Sequence, residues 1–173
     1  NGYYGMYLYE TSARKAYGMV IDSNNFIGQY YYGFYGYYIM DGVKIRYNNI
    51  QKNSNSFTTN YGFLSYYGAS NATVGQAEIA YNTVVGNNLA ANSTYGIQTG
   101  YFVGGVSLHD NYVRGTNRLL YMYGNTWEGN ATYKTRIYNN QFIQENGTSA
   151  LQVALRLSGV NSGDEVLTQA LTF

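Results

Sequence analysis

The chain has no cysteine and no proline, and it has little charge. Asp, Glu, Lys and Arg make up 11% of its 173 residues, and the formal net charge is +1. Without cysteine, neither a disulfide framework nor a thiolate metal site can form. The small, nearly balanced charge argues against a nucleic-acid binder, which normally carries a basic patch. No apolar run approaches the ~18 residues that a membrane-spanning helix needs. We therefore expect no nucleic-acid partner, no membrane insertion and no cofactor.

Tyrosine, glycine and asparagine are abundant instead. The chain contains 23 Tyr and 21 Gly. Aromatic side chains suit the pleated, half-buried surface of a sheet, and Gly and Asn supply turns because both tolerate positive φ. Disordered segments, in contrast, are poor in aromatics and rich in charge. The composition therefore indicates a β-protein, and the length is sufficient for one domain with a continuous core.

A first sequence pattern, apolar-x-x-Asn-x-apolar, recurs along the chain. Its leading apolar residues are separated by 24, 34, 29 and 29 positions. Such variable intervals are typical of strands of fixed length joined by a loop that grows or shrinks. The 34-residue interval predicts an insertion in 53–60 or 69–75. The copies begin at Ile21, Ile45, Ile79, Leu108 and Ile137, and their asparagines are Asn24, Asn48, Asn82, Asn111 and Asn140.

A second pattern, Tyr-Gly-apolar, alternates with the first. Aligned copies predict an inner apolar column and an aromatic column two residues earlier. Degenerate copies follow around Leu120 and Leu151, and an additional copy at Tyr17-Gly18-Met19 does not fit the alternation. The inner column is Met6, Phe34, Phe63 and Ile97, and the aromatic column is Tyr4, Tyr32, Tyr61 and Tyr95.

The two interleaved patterns indicate a solenoid of β-strands. We predict an all-β fold, a right-handed parallel β-helix of about six coils, in residues 1–157. Residues 158–173 are expected to form an irregular tail, a cap or the start of a further segment. Equivalent residues of successive coils then lie one strand spacing apart, about 4.8 Å. The five repeated asparagines would form a ladder in which each amide donates to the next.

The outward positions beside the leading apolar residues test this register. Asp22 would lie beside Arg46, and Lys44 beside Glu78. Both pairs are opposite in sign, and such cross-strand pairs contribute roughly 0.2–1 kcal/mol each. The register is therefore consistent with the charges.

These residues resemble the right-handed parallel β-helix repeat family found in large secreted and surface proteins of Bacteroidota. The resemblance lies in copies such as Asn24-Asn25-Phe26-Ile27 and Tyr81-Asn82-Thr83-Val84, which alternate with Tyr-Gly strands over roughly residues 3–157. It implies an extracellular or cell-surface location. The broader fold class also includes pectate lyases and other polysaccharide-active enzymes, so an enzyme is implied only by analogy.

The acidic residues and the histidine predict no catalytic and no metal-binding site. Polysaccharide lyases and hydrolases gather carboxylates on one face, but no predicted column stacks two of the nine acidic residues. His109, the only histidine, stands next to Asp110, and a His-Asp pair can serve as a general base. However, consecutive strand residues point to opposite faces. We expect His109 to be an exposed surface residue that does not meet Asp110.

A tyrosine cluster in 29–38 predicts a binding surface. Strand alternation places Tyr35 and Tyr37 on the outside, with Tyr7 of the preceding coil as a stacking partner. A solvated aromatic stripe can stack on sugar rings or supply rigid interface area. The alternative is that these tyrosines simply cover the solenoid with their hydroxyls in water.

The regular ladder and the low charge favour a structural or adhesive surface module over an enzyme. Such a module is a rigid spacer or fibre segment, with glycans or other surface proteins as partners. Self-association by coil stacking is expected if the ends are uncapped, because exposed strand edges pair with other chains. The alternative is a carbohydrate-active β-helix enzyme, a polysaccharide lyase or hydrolase, whose active site lies largely outside this chain. We expect the chain to be a piece of a longer protein, because the repeat is already under way at residue 4.

Overall fold

Three parallel sheets of five strands each form the architecture. The computed structural model describes residues 2–9, 16–29, 31–37, 40–51, 62–67, 75–86, 94–100, 105–123 and 132–144. Within these ranges the strands pair in parallel and no helix occurs. The predicted all-β class is therefore confirmed.

The chain passes through the three sheets in the same order five times, and we call each passage a coil. The first sheet consists of β1 (Tyr4–Tyr9), β5 (Tyr32–Tyr37), β9 (Gly62–Tyr67), β12 (Tyr95–Gly100) and β15 (Arg118–Tyr123). The second consists of β3 (Val20–Asp22), β7 (Lys44–Arg46), β10 (Ala77–Ala80), β13 (Val106–His109) and β16 (Arg136–Tyr138). The third consists of β4 (Asn25–Ile27), β8 (Asn49–Gln51), β11 (Thr83–Val85), β14 (Tyr112–Arg114) and β17 (Gln141–Ile143). A short ribbon pairs β2 (Ala16–Tyr17) with β6 (Met40–Asp41). This arrangement is compatible with a solenoid.

The core lies between the three sheets and is built from columns of equivalent residues. On the second sheet Ile21, Ile45, Ile79 and Leu108 lie in register, and each is at most 4% exposed. The third sheet and the first supply further columns. Fully burying one such side chain contributes about 1.5–3 kcal/mol. The third-sheet column is Phe26, Ile50, Val84, Val113 and Phe142, and the first-sheet column contains Phe34 and Ile97.

The register predicted for the first sheet is right for four coils and wrong for the third. Met6 pairs with Phe34, and Ile97 pairs with Leu120, as the pattern predicts. In the third coil, however, Leu64 pairs with both Phe34 and Ile97, in the place predicted for Phe63. This register brings Tyr67 opposite Tyr37, where Tyr67 is 5% exposed. A one-residue shift reverses the faces of a strand, so the local Tyr-Gly-Phe pattern does not predict the register of β9.

The glycine of the Tyr-Gly-apolar pattern faces the interior together with the apolar residue. A Cβ added to Gly96 would lie 2.6 Å from the carbonyl oxygen of Leu119 and would also overlap Val113. Only glycine leaves room for this close approach. The additional copy at Tyr17-Gly18-Met19 is different, because Gly18 has φ 60° and turns the chain between β2 and β3.

The corner between the second and third sheets repeats the same backbone conformation in every coil. One residue there has φ between 53° and 59°, in the left-handed region, which costs an L-residue roughly 1–2 kcal/mol. The next residue is the repeated asparagine. The left-handed residues are Ser23, Tyr47, Tyr81, Asp110 and Asn139.

The asparagine side chains offset this cost with a ladder of hydrogen bonds. Oδ1 of Asn82 accepts from the backbone N and from Nδ2 of Asn48, both at 3.0 Å. Asn82 in turn donates from N and Nδ2 to Oδ1 of Asn111, at 3.0 and 2.9 Å. The Nδ2 group also donates to the carbonyl oxygen of Ile45 at 2.9 Å. The same contacts run through Asn24, Asn48, Asn82, Asn111 and Asn140, so the predicted hydrogen-bond pattern is confirmed.

Some predictions lie outside the described residues. These are the sixth copy around Leu151, the tail 158–173, and the insertions proposed in 53–60 and 69–75, of which only Gly75 is described.

Candidate functional site

The outer side of the first sheet carries an almost continuous array of tyrosine rings. The array extends from β1 to β15, and its described rings contact one another within and between coils. We call it the tyrosine face. Its members are Tyr4, Tyr7, Tyr9, Tyr32, Tyr35, Tyr37, Tyr67, Tyr95, Tyr121 and Tyr123.

Four nearly parallel rings form the regular part of the tyrosine face. Tyr7 stacks on Tyr35 with centroids 5.2 Å apart and an interplanar angle of 7°. Tyr9 stacks on Tyr37 at 5.6 Å and 5°. The strand register pairs the same residues, so the stacks follow directly from coil stacking. Stacked aromatic pairs of this geometry contribute about 0.5–1.5 kcal/mol beyond their buried area.

Tyr67 ends this parallel stack. Its ring meets Tyr37 edge-on at 4.9 Å and 73°, and it meets Tyr35 at 5.5 Å. Tyr67 also lies edge-on to Tyr123, with the ring centroids 6.0 Å apart. The sequence did not indicate Tyr67, because its place depends on the shifted register of β9.

At the far end the tyrosine face includes one cation. Tyr95 stacks on Tyr121 at 4.7 Å, and Tyr121 stacks on Tyr123 at 5.1 Å. The Arg118 guanidinium lies 5.3 Å from the ring centroid of Tyr95 and donates a 2.8 Å hydrogen bond to its hydroxyl. Alternation from Leu120 places Tyr121 and Tyr123 on the outside, a signal that was present in the degenerate copy.

The predicted ligand-binding residues lie together, but they differ in accessibility. Tyr7 and Tyr9 are 49% and 54% exposed, whereas Tyr35 has Tyr7 against one side and Tyr67 against another. Burial raises the pKa of Tyr35 far above its ordinary value, and the neighbouring tyrosines raise it further. Among these rings, the exposed surface therefore lies mainly on β1, and Tyr35 and Tyr37 stack against Tyr7 and Tyr9 from the next coil.

A second cluster lies on the outer side of the second sheet, around His109. Nδ1 of His109 is 2.7 Å from Oδ2 of Asp110, and Nε2 is 3.1 Å from Oε1 of Glu78. The ring is 7% exposed and stacks on Tyr138 at 4.7 Å. The Asp110 carboxylate is also the main cause that raises the pKa of Tyr81.

The expectation that His109 is exposed and does not meet Asp110 is therefore wrong. Asp110 has φ 53°, which breaks strand alternation and turns its carboxylate back to the histidine. Both ring nitrogens already have carboxylate partners, and Tyr81 covers the ring edge-on at 5.5 Å. This closed arrangement acts as a link between coils and leaves no ring nitrogen directed at a substrate.

The predicted charged pairs of the second sheet are confirmed. Nη2 of Arg46 lies 2.7 Å from Oδ2 of Asp22, and Nζ of Lys44 lies 3.4 Å from Oε2 of Glu78. The hydrogen bond from Arg46 to Asp22 raises the pKa of the Arg46 guanidinium. These groups are partly solvated, so each pair contributes about 0–1 kcal/mol.

Neither a metal cluster nor a membrane-spanning helix occurs in the ranges that the structure describes. No group of three or more His, Cys, Asp or Glu side chains there is arranged to hold a metal ion. No helix in those ranges is long and apolar enough to cross a membrane.

Comparison with known proteins links one short segment to a family. The model of the DegT/DnrJ/EryC1/StrS aminotransferase family matches residues 140–173. That segment is about a fifth of the chain, and the structure describes only 140–144 of it. No curated protein and no solved structure matches the chain.

The resemblance to the β-helix repeat family of Bacteroidota surface proteins is wrong. The family model that matches is that of an aminotransferase family, and it matches only residues 140–173, which follow most of the repeat. The sequence patterns on which the resemblance was based describe how strands stack, and unrelated chains reach the same stacking by the same physics. Function must therefore be argued from the surface itself.

Proposed function

We propose that residues 1–157 form a right-handed parallel β-helix of about six coils that serves as an extracellular structural or adhesive module. In this proposal the tyrosine face binds a neutral glycan. Right-handedness is supported because crossovers between parallel strands of one sheet are right-handed in about 98% of cases. The five described coils support a coil number close to this.

The tyrosine face is the observation that carries the proposal. Its described tyrosines are uncharged and contact each other across coils, and Tyr7 and Tyr9 remain about half exposed. Tyrosine combines large rigid contact area with a hydroxyl that can hydrogen-bond, which suits a binding surface. Stacking of neighbouring rings across coils limits their motion, which reduces the conformational entropy lost on binding.

Assembly into fibres is part of the same proposal. β1, β3 and β4 are the outermost described strands at one end of their sheets. Val20 and Ile27, on β3 and β4, are 56% and 57% exposed. Open strand edges with apolar neighbours pair readily with another coil.

A glycan-array screen with two variants tests the binding proposal. The double variant Tyr7→Ala, Tyr9→Ala removes the open rings, and Tyr17→Ala is its matched control because Tyr17 is 58% exposed but lies on β2. We expect selective glycan binding by the wild type and by Tyr17→Ala, and a loss of about tenfold or more in the double variant. Circular dichroism establishes that each variant is folded.

Two outcomes would contradict the proposal. One is that the folded wild type binds no glycan on the array. The other is that the Tyr7, Tyr9 variant binds as the wild type does, which would leave the tyrosines as a covering of the scaffold. Electron microscopy at high concentration tests fibres separately, and monomers alone would rule out the assembly part.

A further inference from the structure

Two exposed tyrosines stack on each other at the corner between the second and third sheets. Tyr47 lies between β7 and β8, and Tyr81 lies at the equivalent place in the next coil, between β10 and β11. Their ring centroids are 4.8 Å apart and their planes differ by 5°. Tyr47 is 54% exposed and Tyr81 is 44% exposed. In the other stacked tyrosine pairs that join described residues of different coils, at least one ring is partly buried.

Tyrosine is an unusual residue at this corner. Tyr47 and Tyr81 have φ of 55° and 56°, in the left-handed region, where a bulky residue is an outlier and Asn or Asp is common. The other coils place Ser23, Asp110 and Asn139 there. The turn itself therefore does not explain two aromatic rings in adjacent coils, and backbone outliers of this kind cluster at functional sites.

The stacked pair is open to solvent on the side of Tyr47. Ser23, the equivalent residue of the preceding coil, carries no ring that could cover it. On the other side, Tyr81 meets His109 edge-on at 5.5 Å. The pair is therefore held together by its neighbours in the third and fourth coils, while a dissolved reagent can reach both rings.

We propose that Tyr47 and Tyr81 are a site of oxidative cross-linking, at which a dityrosine bond joins the second coil to the third. The oxidant is of the haem-peroxidase class, with hydrogen peroxide as the electron acceptor. Each phenol gives up one electron and one proton, and the two phenoxyl radicals couple through the ring carbons next to their hydroxyls. The hydrogens on those carbons then move to the phenolic oxygens and restore both hydroxyls. One C–C bond forms, and one molecule of hydrogen peroxide is reduced to two molecules of water.

The stacking geometry favours coupling within the pair. The centres of two directly bonded aromatic rings lie only slightly closer together than the centres of Tyr47 and Tyr81, and two reactants held in contact react far faster than two that must meet by diffusion. The bond would join the residues directly before the ladder asparagines Asn48 and Asn82, which are 34 positions apart. A cross-link over a long loop stabilises the fold because it restricts the unfolded chain.

The test treats the whole folded chain, at high dilution, with a haem peroxidase and a limiting amount of hydrogen peroxide. Trypsin cleaves after Lys52, which separates Tyr47, in peptide 47–52, from Tyr81, in peptide 53–114. A dityrosine bond keeps the two peptides together, and mass spectrometry detects the joined peptides at the sum of their masses less two hydrogens. We expect the joined peptides in the wild type, with a yield that does not change on further dilution, because the coupling is intramolecular.

Three variants assign the bond to this pair. Tyr47→Phe and Tyr81→Phe each keep a ring that can stack but remove a phenol, so the joined peptides should be lost in both. Tyr138→Phe is the matched control, because Tyr138 is 43% exposed but stacks on His109, and it should retain them. Circular dichroism establishes that each variant is folded. Absence of the joined peptides from the oxidised wild type, or their persistence in Tyr81→Phe, would overturn the assignment, as would a yield that falls on dilution.

Thermal unfolding tests whether the bond stabilises the coils. The oxidised wild type should have a melting temperature about 5 °C or more above that of the untreated chain. Oxidised Tyr81→Phe should show no such rise. A joined wild type with an unchanged melting temperature would overturn the stabilising role. These results are independent of the proposed glycan binding, because all three variants leave Tyr7 and Tyr9 in place.

Discussion

At the scale of single residues, the ladder asparagines carry the stability of the corner. Each joins two neighbouring coils and supports a preceding residue held at positive φ. Aspartate could not replace asparagine there, because an ionised carboxylate accepts hydrogen bonds but donates none. The preference for Asn at this position therefore follows from its combination of donor and acceptor.

Removal of one ladder amide should be strongly destabilising. Asn82→Ala leaves the backbone N of Asn48 without its acceptor. It also removes the hydrogen bond that Nδ2 of Asn48 donates to Asn82, and the two that Nδ2 of Asn82 donates to Ile45 and Asn111. Because an unpaired buried group costs about 1–3 kcal/mol and a lost hydrogen bond about 0.5–1.5 kcal/mol, we expect the free energy of unfolding to fall by about 3 kcal/mol or more. Urea denaturation measures this change.

Asn25→Ala is the control for this prediction. Asn25 is exposed, and its side chain accepts one hydrogen bond from Nδ2 of Asn49 at 3.0 Å. We expect a change within about 0.5 kcal/mol. Similar losses in both variants would show that burial in the ladder is not what stabilises the corner.

At the scale of elements, the strands of the first sheet depend on their inward glycine. In β12, Tyr95 pairs with Arg118 and Ile97 pairs with Leu120. Gly96 lies between them against the backbone of Leu119. The tyrosine therefore stays outside while glycine and isoleucine both face the core, which simple strand alternation does not permit.

Addition of a single methyl group at this glycine should disturb the sheet. Gly96→Ala places a Cβ 2.6 Å from the carbonyl oxygen of Leu119, and overpacking of this kind costs about 1–3 kcal/mol. Gly2→Ala, whose Cβ would meet only the carbonyl oxygen of Tyr4 at 3.5 Å, should be nearly neutral. Thermal unfolding of both variants measures the difference, and a neutral Gly96→Ala would contradict the close packing.

At the scale of the whole molecule, coil stacking creates environments that no single coil has. Tyr35 is surrounded by rings from the coil before it and the coil after it, Tyr7 and Tyr67. This burial raises its pKa above the ordinary value of 10.0. The raised pKa is therefore a property of three stacked coils.

Alkaline pH should destabilise the fold through this tyrosine. Because the folded-state pKa of Tyr35 is the higher one, the unfolded chain loses the proton first. The contribution to stability is then complete below pH 10.0 and is lost as pH rises above that value. Denaturation midpoints measured against pH should fall in this range, and less so in Tyr35→Phe.

Tyr17→Phe serves as the comparison for the pH series, because Tyr17 is 58% exposed. Its alkaline profile should follow that of the wild type. If the denaturation midpoint of Tyr35→Phe falls with pH as much as that of the wild type, the raised pKa of Tyr35 does not cause the alkaline loss of stability. The prediction would then be wrong.

The residues that stack on one another can be identified from the sequence. Parallel coils place equivalent positions one strand spacing apart, so a column works only if its members suit one another. The sequence therefore shows three of these columns as a repeat: the ladder asparagines from Asn24 to Asn140, the apolar column of Ile21, and the charged pair of Asp22 with Arg46. The tyrosines Tyr7, Tyr35 and Tyr37 are visible for the same reason.

The positions at which the chain departs from the repeat depend on the packing of the folded chain. Leu64 takes the register position predicted for Phe63, and this places Tyr67, which is buried, opposite Tyr37 of the neighbouring coil. Asp110 reaches His109 because its backbone is left-handed. In each instance the direction of a side chain is set by backbone dihedral angles and packing partners distant in sequence, which a periodic pattern does not encode.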